Sequence, residues 1–349
     1  MIQYPAPLTT GSKIALTAFS SGVDPSMHQR LDLVINSFKE KGFQILEGQY
    51  LRQNNKGVSA SKEARAKELM SFLLDDDIDA IAPPWGGELA MEILPLLDFD
   101  QIRRAKPKWI FGYSDVSTIS CAITSKAGWA TAHTTNFMEQ IASQPDPLTS
   151  QTLNCLATPT GMQFCQHSSE KYQKQFLDFH QHPRANFNLT EQTRWKILNG
   201  ENADSQQQTI QFSGRLIGGC LDTLVHLFDT PYLDLEALKQ RYTDTGIILY
   251  LENAEATQFV LQRRLLSMRF RNVFKNLKGI MFGRSYTPPD PDIELSYKEA
   301  LLAGIGEVDY PILYDVDIGH QPPNLTLING ALAEVEFLNG DATVTQWLL

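Results

Sequence analysis

The chain has 349 residues, more than the ~250–300 at which one hydrophobic core gives way to several, so about two domains are expected. With 30 basic against 40 acidic residues the net charge is −10, which excludes a nucleic-acid scaffold or an anionic-membrane binder but leaves a small local anion pocket open. A hydrophobic share of 42% with 20% charged residues excludes disorder, and four cysteines (Cys121, Cys155, Cys165, Cys220) without a CxxC pair argue against a disulfide framework or a zinc site.

The first residues lack the charged start and apolar stretch of a secretory signal, and no apolar run approaches the ~18 residues of a membrane span. A cytoplasmic protein is expected. Residues 13–19 (KIALTAF) form a short apolar strand that enters a Ser-Ser-Gly turn. A helical stripe runs from 27 to 41 through Leu31, Val34, Ile35 and Phe38, and a second strand covers 43–46. Residues 61–74 read as a helix with Ser61 as N-cap. Strands follow at 78–82 and 109–111, with a helix after Asp115. This strand–helix rhythm predicts a parallel sheet covered on both faces.

From about 143 to 202 the texture changes to Gln, Ser, Asn, His and Pro with scattered aromatics, as in an interdomain crossing or a substrate-covering loop. Beyond it a strand is predicted at 209–212, then a glycine-rich turn into a helix over 218–228. Further strands are predicted at 246–251, 279–282, 312–315 and 333–337. There is no internal repeat.

In open α/β sheets, ligands bind at the carboxyl ends of strands, so the residues just past each strand are the candidates. Three ends carry complementary groups: Ser114 after 109–111, Glu252 after 246–251, and His320 a few residues after 312–315. Hydroxyl, imidazole and carboxylate are the parts of a nucleophile activated by an oriented base. Ser114 stands in a Gly-x-Ser turn between strand and helix, but Val116 replaces the second glycine of the G-x-S-x-G elbow. Capping of the helix by Ser114 or Asp115 is the commoner use of such residues and stays open, as does a plain hydrogen-bonding role for His320.

Gly86 and Gly87, flanked by Trp85 and Glu88, permit a close backbone approach that suits a carboxylate or oxyanion cradle, and an ordinary tight turn equally. They fit neither a dinucleotide nor a P-loop pattern. His167, His180 and His182 lie in the polar stretch without a carboxylate or cysteine set, and Asp75, Asp76, Asp77 and Asp79 lack the features of a calcium loop. No metal is expected.

Taken together, these landmarks resemble the LD-carboxypeptidase family of serine peptidases, and most closely its microcin C self-immunity branch. The resemblance rests on six blocks in order: KIALTAFSSGV, EARAKELMSFLLDDDIDAIAPPWGGELAMEILPLLDFD, FGYSDVS, GRLIGGCLDTLVHLFDTPYLD, IILYLEN and DIGHQPPNLTLINGALAEV. It implies Ser114 as nucleophile, His320 as general base and acid, and Glu252 as the carboxylate that orients the imidazole. It implies an oxyanion hole of backbone N–H groups from Asp115 and from Gly86 or Gly87. The implied fold is α/β: a flavodoxin-like parallel sheet in the N-terminal domain and a mixed-sheet α/β C-terminal domain. The expected division is a nucleophile domain over 1–150, a connecting and substrate-covering segment over 151–200, and a domain carrying Glu252 and His320 over 201–349. The resemblance further implies a cytoplasmic homodimer with no cofactor.

The chain departs from the family's Arg-Gly-Gly-Tyr-Gly pattern at Trp85-Gly86-Gly87-Glu88-Leu89, from Gly-Gly-Asn at Cys220, and from Gly-Thr-Pro at Phe228-Asp229-Thr230-Pro231. Asn253 also stands where many members have Asp. Those departures favour cleavage of an amide in a small peptidyl or aminoacyl-nucleotide substrate, with a murein tetrapeptide as the alternative. A non-catalytic two-domain binding protein is the alternative of another class. Expected substrate contacts are Trp85 and Glu88, Arg215 as a cation for a terminal carboxylate, and Trp195 among the aromatics of the polar stretch.

Overall fold

The structure, a computed structural model, describes residues 2–141, 145–199, 209–288, 292 and 294–349. The expected domain limit at 200/201, and the outer limits of the polar stretch at 143 and 202, lie outside the described residues. In the first half, β1 (Lys13–Leu16), α1 (His28–Glu40), β2 (Gln44–Glu47), α2 (Lys62–Leu74), β3 (Ala80–Ala82), α3 (Phe99–Arg104), β4 (Trp109–Gly112), α4 (Val116–Ala127) and β5 (Thr131–His133) alternate. The polar stretch holds α5 (Pro147–Leu156), β6 (Gln163–His167), β7 (Lys171–Tyr172), β8 (Glu191–Gln192) and β9 (Lys196–Ile197). The remainder carries β10 (Thr209–Cys220), α6 (Leu221–Leu224), α7 (Leu235–Arg241), β11 (Ile247–Glu252), α8 (Gln258–Phe270), β12 (Gly279–Gly283), α9 (Tyr297–Ile305) and β13 (Ile312–Val316). It ends with β14 (Leu327–Asn329), β15 (Leu332–Leu338) and β16 (Asp341–Trp347).

Strands β2-β1-β3-β4-β5 pair in parallel, the flavodoxin-like order, and β14 closes the far edge antiparallel to β5. The second sheet runs β6-β16-β15-β10-β11-β12-β13-β9, with a parallel centre from β10 to β13 and antiparallel flanks. The fold is therefore α/β, with a mostly parallel sheet followed by a mixed one. Apolar periodicity explains the helices: α1 buries Leu31, Val34, Ile35 and Phe38 on one face, and the Ser61 hydroxyl caps α2 by accepting from the Ala64 N–H at 3.3 Å. Helix α4 differs, being buried on nearly every side because it lies between the first sheet and β10.

Two parts of the sequence reading change. Gly218 and Gly219 do not open a helix; they end the twelve-residue strand β10, and only the one-turn helix α6 follows. The physical reason is closeness: Gly218 pairs with Tyr250, and a Cβ there would stand 2.8 Å from the Tyr250 Cγ. The polar stretch is also more ordered than its composition implies, since β6 and β9 form the two edges of the second sheet. Its helix α5 had a local signal in Asp146-Pro147, with the Asp146 carboxylate accepting from the Thr149 N–H at 3.0 Å. Strands β5, β14 and β16 have no apolar run long enough to announce them.

The two sheets are stitched by the buried amide of Asn329 on β14. Its Oδ1 accepts from the Gly218 N–H at 3.0 Å and from the Tyr250 hydroxyl at 2.8 Å, while its Nδ2 donates to Thr131 Oγ1 at 3.2 Å. Asn329→Ala leaves two buried donors unmatched, so a loss of about 3 kcal/mol in unfolding free energy is expected by urea titration. A loss below about 1 kcal/mol would show that the stitch is not a stabilising element.

Candidate active site

The turn after β4 is built by glycine and asparagine. Gly112 takes φ +142°, where a Cβ would stand 2.7 Å from Asn136 Oδ1, and that same oxygen accepts the Tyr113 N–H at 3.0 Å. Ser114 then adopts φ +67°, a left-handed conformation that costs a non-glycine residue about 1 kcal/mol or more. Helix α4 starts at once, the Ser117 N–H donating to the Ser114 carbonyl at 2.9 Å. The Ser114 side chain caps nothing; its Oγ lies 3.1 Å from His320 Nε2. Nor is Asp115 a side-chain cap for α4: its buried carboxylate accepts from Ser20 Oγ, the Ala90 N–H and Thr118 Oγ1 at 2.6–2.8 Å. Burial raises the Asp115 pKa despite those donors.

Glu252 ends β11, fully buried, with Oε2 2.9 Å from His320 Nδ1. Two glycines make room for it. A Cβ on Gly283 would stand 2.9 Å from the Glu252 Cβ, and one on Gly319, which takes φ +100°, would stand 2.7 Å from its carboxyl carbon. Burial pushes the Glu252 pKa up, but the charge and hydrogen bond of His320 outweigh this and hold it below the ordinary carboxylate value. For His320 burial acts downward, and the charge and hydrogen bond of Glu252 raise it above the imidazole value of 6.5. The Tyr113 ring meets His320 edge-on, centroids 4.9 Å apart, with its hydroxyl donating to Glu139 Oε1 at 2.7 Å.

The turn after β3 completes the floor. A Cβ on Gly86 would stand 2.6 Å from the Asp115 N and 2.9 Å from Ser114 Oγ, so only glycine lets this backbone lie against the serine. Gly87 takes φ +140° and packs on Ser20 and Ser21 from the loop after β1. Trp85 is half-buried against the first-sheet core, whereas Glu88 is exposed. Burial and the carboxylates of Glu255, Asp115 and Asp222 push Glu88 upward, placing it among acidic groups near His320. Asp222 is ion-paired with Arg264 and accepts from the Ala254 N–H at 2.8 Å.

Two expected contacts lie elsewhere. Arg215 sits at the opposite end of the β10–β11 pairing from Cys220 and Glu252, where it donates to the Gly330 carbonyl at 2.7 Å and stacks on Tyr242. Trp195 is buried, its Nε1 donating to Asp317 Oδ2 at 2.9 Å, so its ring is a core element and not a ligand platform. Both expectations failed because a cation or aromatic in a polar sequence carries no sign of the direction it faces. Among the described residues no cluster of His, Cys, Asp or Glu has metal-site geometry; His167, His180 and His182 form none.

The sequence reading missed four neighbours of the site: Tyr113, His133, Arg284 and Tyr286. His133, at the end of β5, is buried with both ring nitrogens unpartnered, and burial takes its pKa down to about 4. The strand-end rule would have found it had β5 been recognised. Arg284 pairs with buried Asp317 at 2.8 Å and donates to the Gln321 carbonyl at 3.0 Å, so it holds the loop that carries His320. The Tyr286 ring centroid lies 6.1 Å from that of His320. It lines a cleft of about 1020 Å³ beside His320, together with Tyr172, Phe176, Lys174, Tyr297 and Lys298.

Models of the LD-carboxypeptidase N-terminal and C-terminal domains match residues 14–134 and 213–335. The chain is 24% identical to the microcin C7 self-immunity protein MccF of Escherichia coli, over 99% of this chain and 96% of that one. It is 23% identical to a Bacillus subtilis protein named "Probable murein peptide carboxypeptidase", over 97% and 93% of the two chains. Among solved structures, MccF in complex with glutamyl sulfamoyl guanosine superposes with a TM-score of 0.82 at 22% identity, covering 99% of both chains. An MccF-like protein from Streptococcus pneumoniae in complex with AMP gives 0.74 at 24%, covering 96% and 98%.

Glu252→Gln removes the charge that opposes burial at His320. The imidazole pKa is expected to fall below its wild-type value in an NMR titration of the His320 ring protons; an unmoved titration would refute the ionic coupling.

Proposed function

The chain belongs to the LD-carboxypeptidase family, and from that premise we propose that it is a serine amidase whose nucleophile is Ser114. The observation that carries the reading is His320, one ring nitrogen 2.9 Å from Glu252 and the other 3.1 Å from Ser114. In this reading Nε2 takes the Ser114 proton as Oγ attacks the amide carbonyl, and Glu252 keeps Nδ1–H oriented and stabilises the imidazolium. The oxyanion faces backbone N–H groups of Asp115 and of Gly86 or Gly87, each such donor lowering the barrier by about 3 kcal/mol in known cases. The imidazolium then protonates the leaving amine, the acyl-enzyme forms, and neutral His320 activates water to release the acid.

The cleft beside His320 supports a leaving group with aromatic and anionic character. Its exposed Phe176 and Tyr286 rings, 5.5 Å apart and edge-to-face, offer stacking surface, and Lys174 and Lys298 offer positive charge. This suits an aminoacyl-nucleotide conjugate, the class of ligand held by MccF. A murein peptide is the second reading, favoured by the similarity to the Bacillus subtilis protein. A cytoplasmic site of action and a homodimer belong to the proposal through the family; among the described residues, no helix is long and apolar enough to cross a membrane.

A fluorophosphonate is expected to label the wild type, and Ser114→Ala to abolish labelling; labelling that survives the substitution would overturn the assignment. Because His320 must be neutral to act as base, the labelling rate should rise with pH through an apparent pKa above 6.5. For the substrate, aspartyl sulfamoyl adenosine is expected to be hydrolysed faster than a murein tetrapeptide. The reverse order would select the second reading.

A further inference from the structure

Arg30 lies on α1, outside the catalytic constellation, and is 1% exposed. A cation buried so completely normally meets a carboxylate, yet no acidic group of the described residues lies within 4 Å of it. Burial lowers its pKa to about 10, with the more distant Glu139 opposing the fall. Its donors go to main-chain oxygens instead: Nε to Met138 at 2.7 Å, Nη1 to Ala185 at 2.9 Å and to Pro183 at 3.2 Å. The guanidinium also sits 3.5 Å from the centroid of the Phe179 ring, which packs on the first-sheet core.

These contacts join two places that matter. Met138 belongs to the one-turn helix Phe137–Glu139, whose Glu139 holds the Tyr113 hydroxyl and whose Met138 N–H donates to the Pro84 carbonyl, at the base of the Gly86 turn. Phe179, Pro183 and Ala185 belong to segment 173–190, whose short turns are closed by local bonds such as His182 N–H to the Asp178 carbonyl and Asn188 N–H to Gln173 Oε1. At its start the Gln173 N–H donates to the Pro322 carbonyl of the His320 loop, and Phe176 leans on Tyr286 at the wall of the cleft. The segment thus bridges from the His320 loop to α1, and Arg30 is its anchor at the far end.

We propose that Arg30 is a positioning residue that fixes segment 173–190 as a wall of the substrate cleft, so that it governs substrate capture and leaves the reactivity of Ser114 untouched. Arginine suits this task because a planar fork of donors satisfies several carbonyls while its face stacks on a ring, which a lysine cannot reproduce. The inference rests on the amidase reading for its kinetic consequence only; the anchoring itself does not.

The test compares Arg30→Met, Arg30→Lys and Phe179→Leu in the full chain. Trypsin cleavage after Lys174 and Arg184 is expected to accelerate about tenfold in Arg30→Met, with Arg30→Lys in between and Phe179→Leu also faster, as loss of charge-assisted bonds implies. Fluorophosphonate labelling of Ser114 should stay within about twofold of wild type, and KM for aspartyl sulfamoyl adenosine should rise about tenfold at nearly constant kcat. Wild-type cleavage rates at both bonds in both Arg30→Met and Phe179→Leu would overturn the proposal, as would a fall in kcat at unchanged KM. Should Arg30→Met not fold, Arg30→Lys and Phe179→Leu decide it by the same readings. A wild type that takes no fluorophosphonate would sink the amidase reading, while the trypsin rates still judge the anchor.

Discussion

The structure around the site depends on one buried charge. Glu252 is fully excluded from solvent, and an ionised carboxylate there is tolerable only with a cationic or strongly donating partner in contact. His320 is that partner, and each group shifts the other towards its charged form against the pull of burial. The requirement reaches outward. Gly283 and Gly319 leave out side chains so that the carboxylate fits, and Arg284, itself neutralised by Asp317, holds the loop that brings the imidazole over it. Once His320 is held by its Nδ1, its Nε2 faces the first sheet, and Ser114 is what it meets.

That meeting requires two sheets to present their carboxyl ends to one another. In the first, the loops after β1, β3 and β4 supply Ser20, Gly86 and Ser114; in the second, β11 and the loop after β13 supply Glu252 and His320. Helix α4 is the common wall, and it is buried on nearly all sides, its Ser117, Thr118, Ser120 and Thr124 included, because it has a sheet on both. Asn329 repeats the arrangement with hydrogen bonds, standing on β14 of the first sheet while serving β10 and β11 of the second. The late strand β14 returning to the first sheet also ties the two halves through the chain itself, so relative movement at the catalytic contact is restrained.

Much of the fold was legible because it is local. Parallel strands buried on both faces must be short apolar runs, and the helices between them must carry an apolar stripe, so β1, β3, β4, β11 and β12 show in the sequence. Strands β5 and β14 do not, being three residues each, Thr-Ala-His and Leu-Ile-Asn, too short for a period to show. β5 is a strand because β4 and β14 flank it, and β14 because β5 offers it a partner, a condition no local window contains. The glycine pair at 218–219 misled for a related reason: it reads as a helix opening, but it exists for the close passage of Tyr250.

The same division runs through the site. By itself the sequence determined the chemical inventory at the strand ends: a serine on a glycine-flanked turn, a carboxylate after an apolar strand, and a histidine in a proline-rich loop. These are nearest-neighbour facts, and the six ordered blocks reinforced them. Only the tertiary structure decided that the three groups touch, across 206 residues between Ser114 and His320 and 68 between Glu252 and His320. It also turned Trp195 and Arg215 away and drew Tyr113 and Arg284 in. Side-chain direction and partner are set by packing among elements distant in the chain, and a residue's type constrains neither.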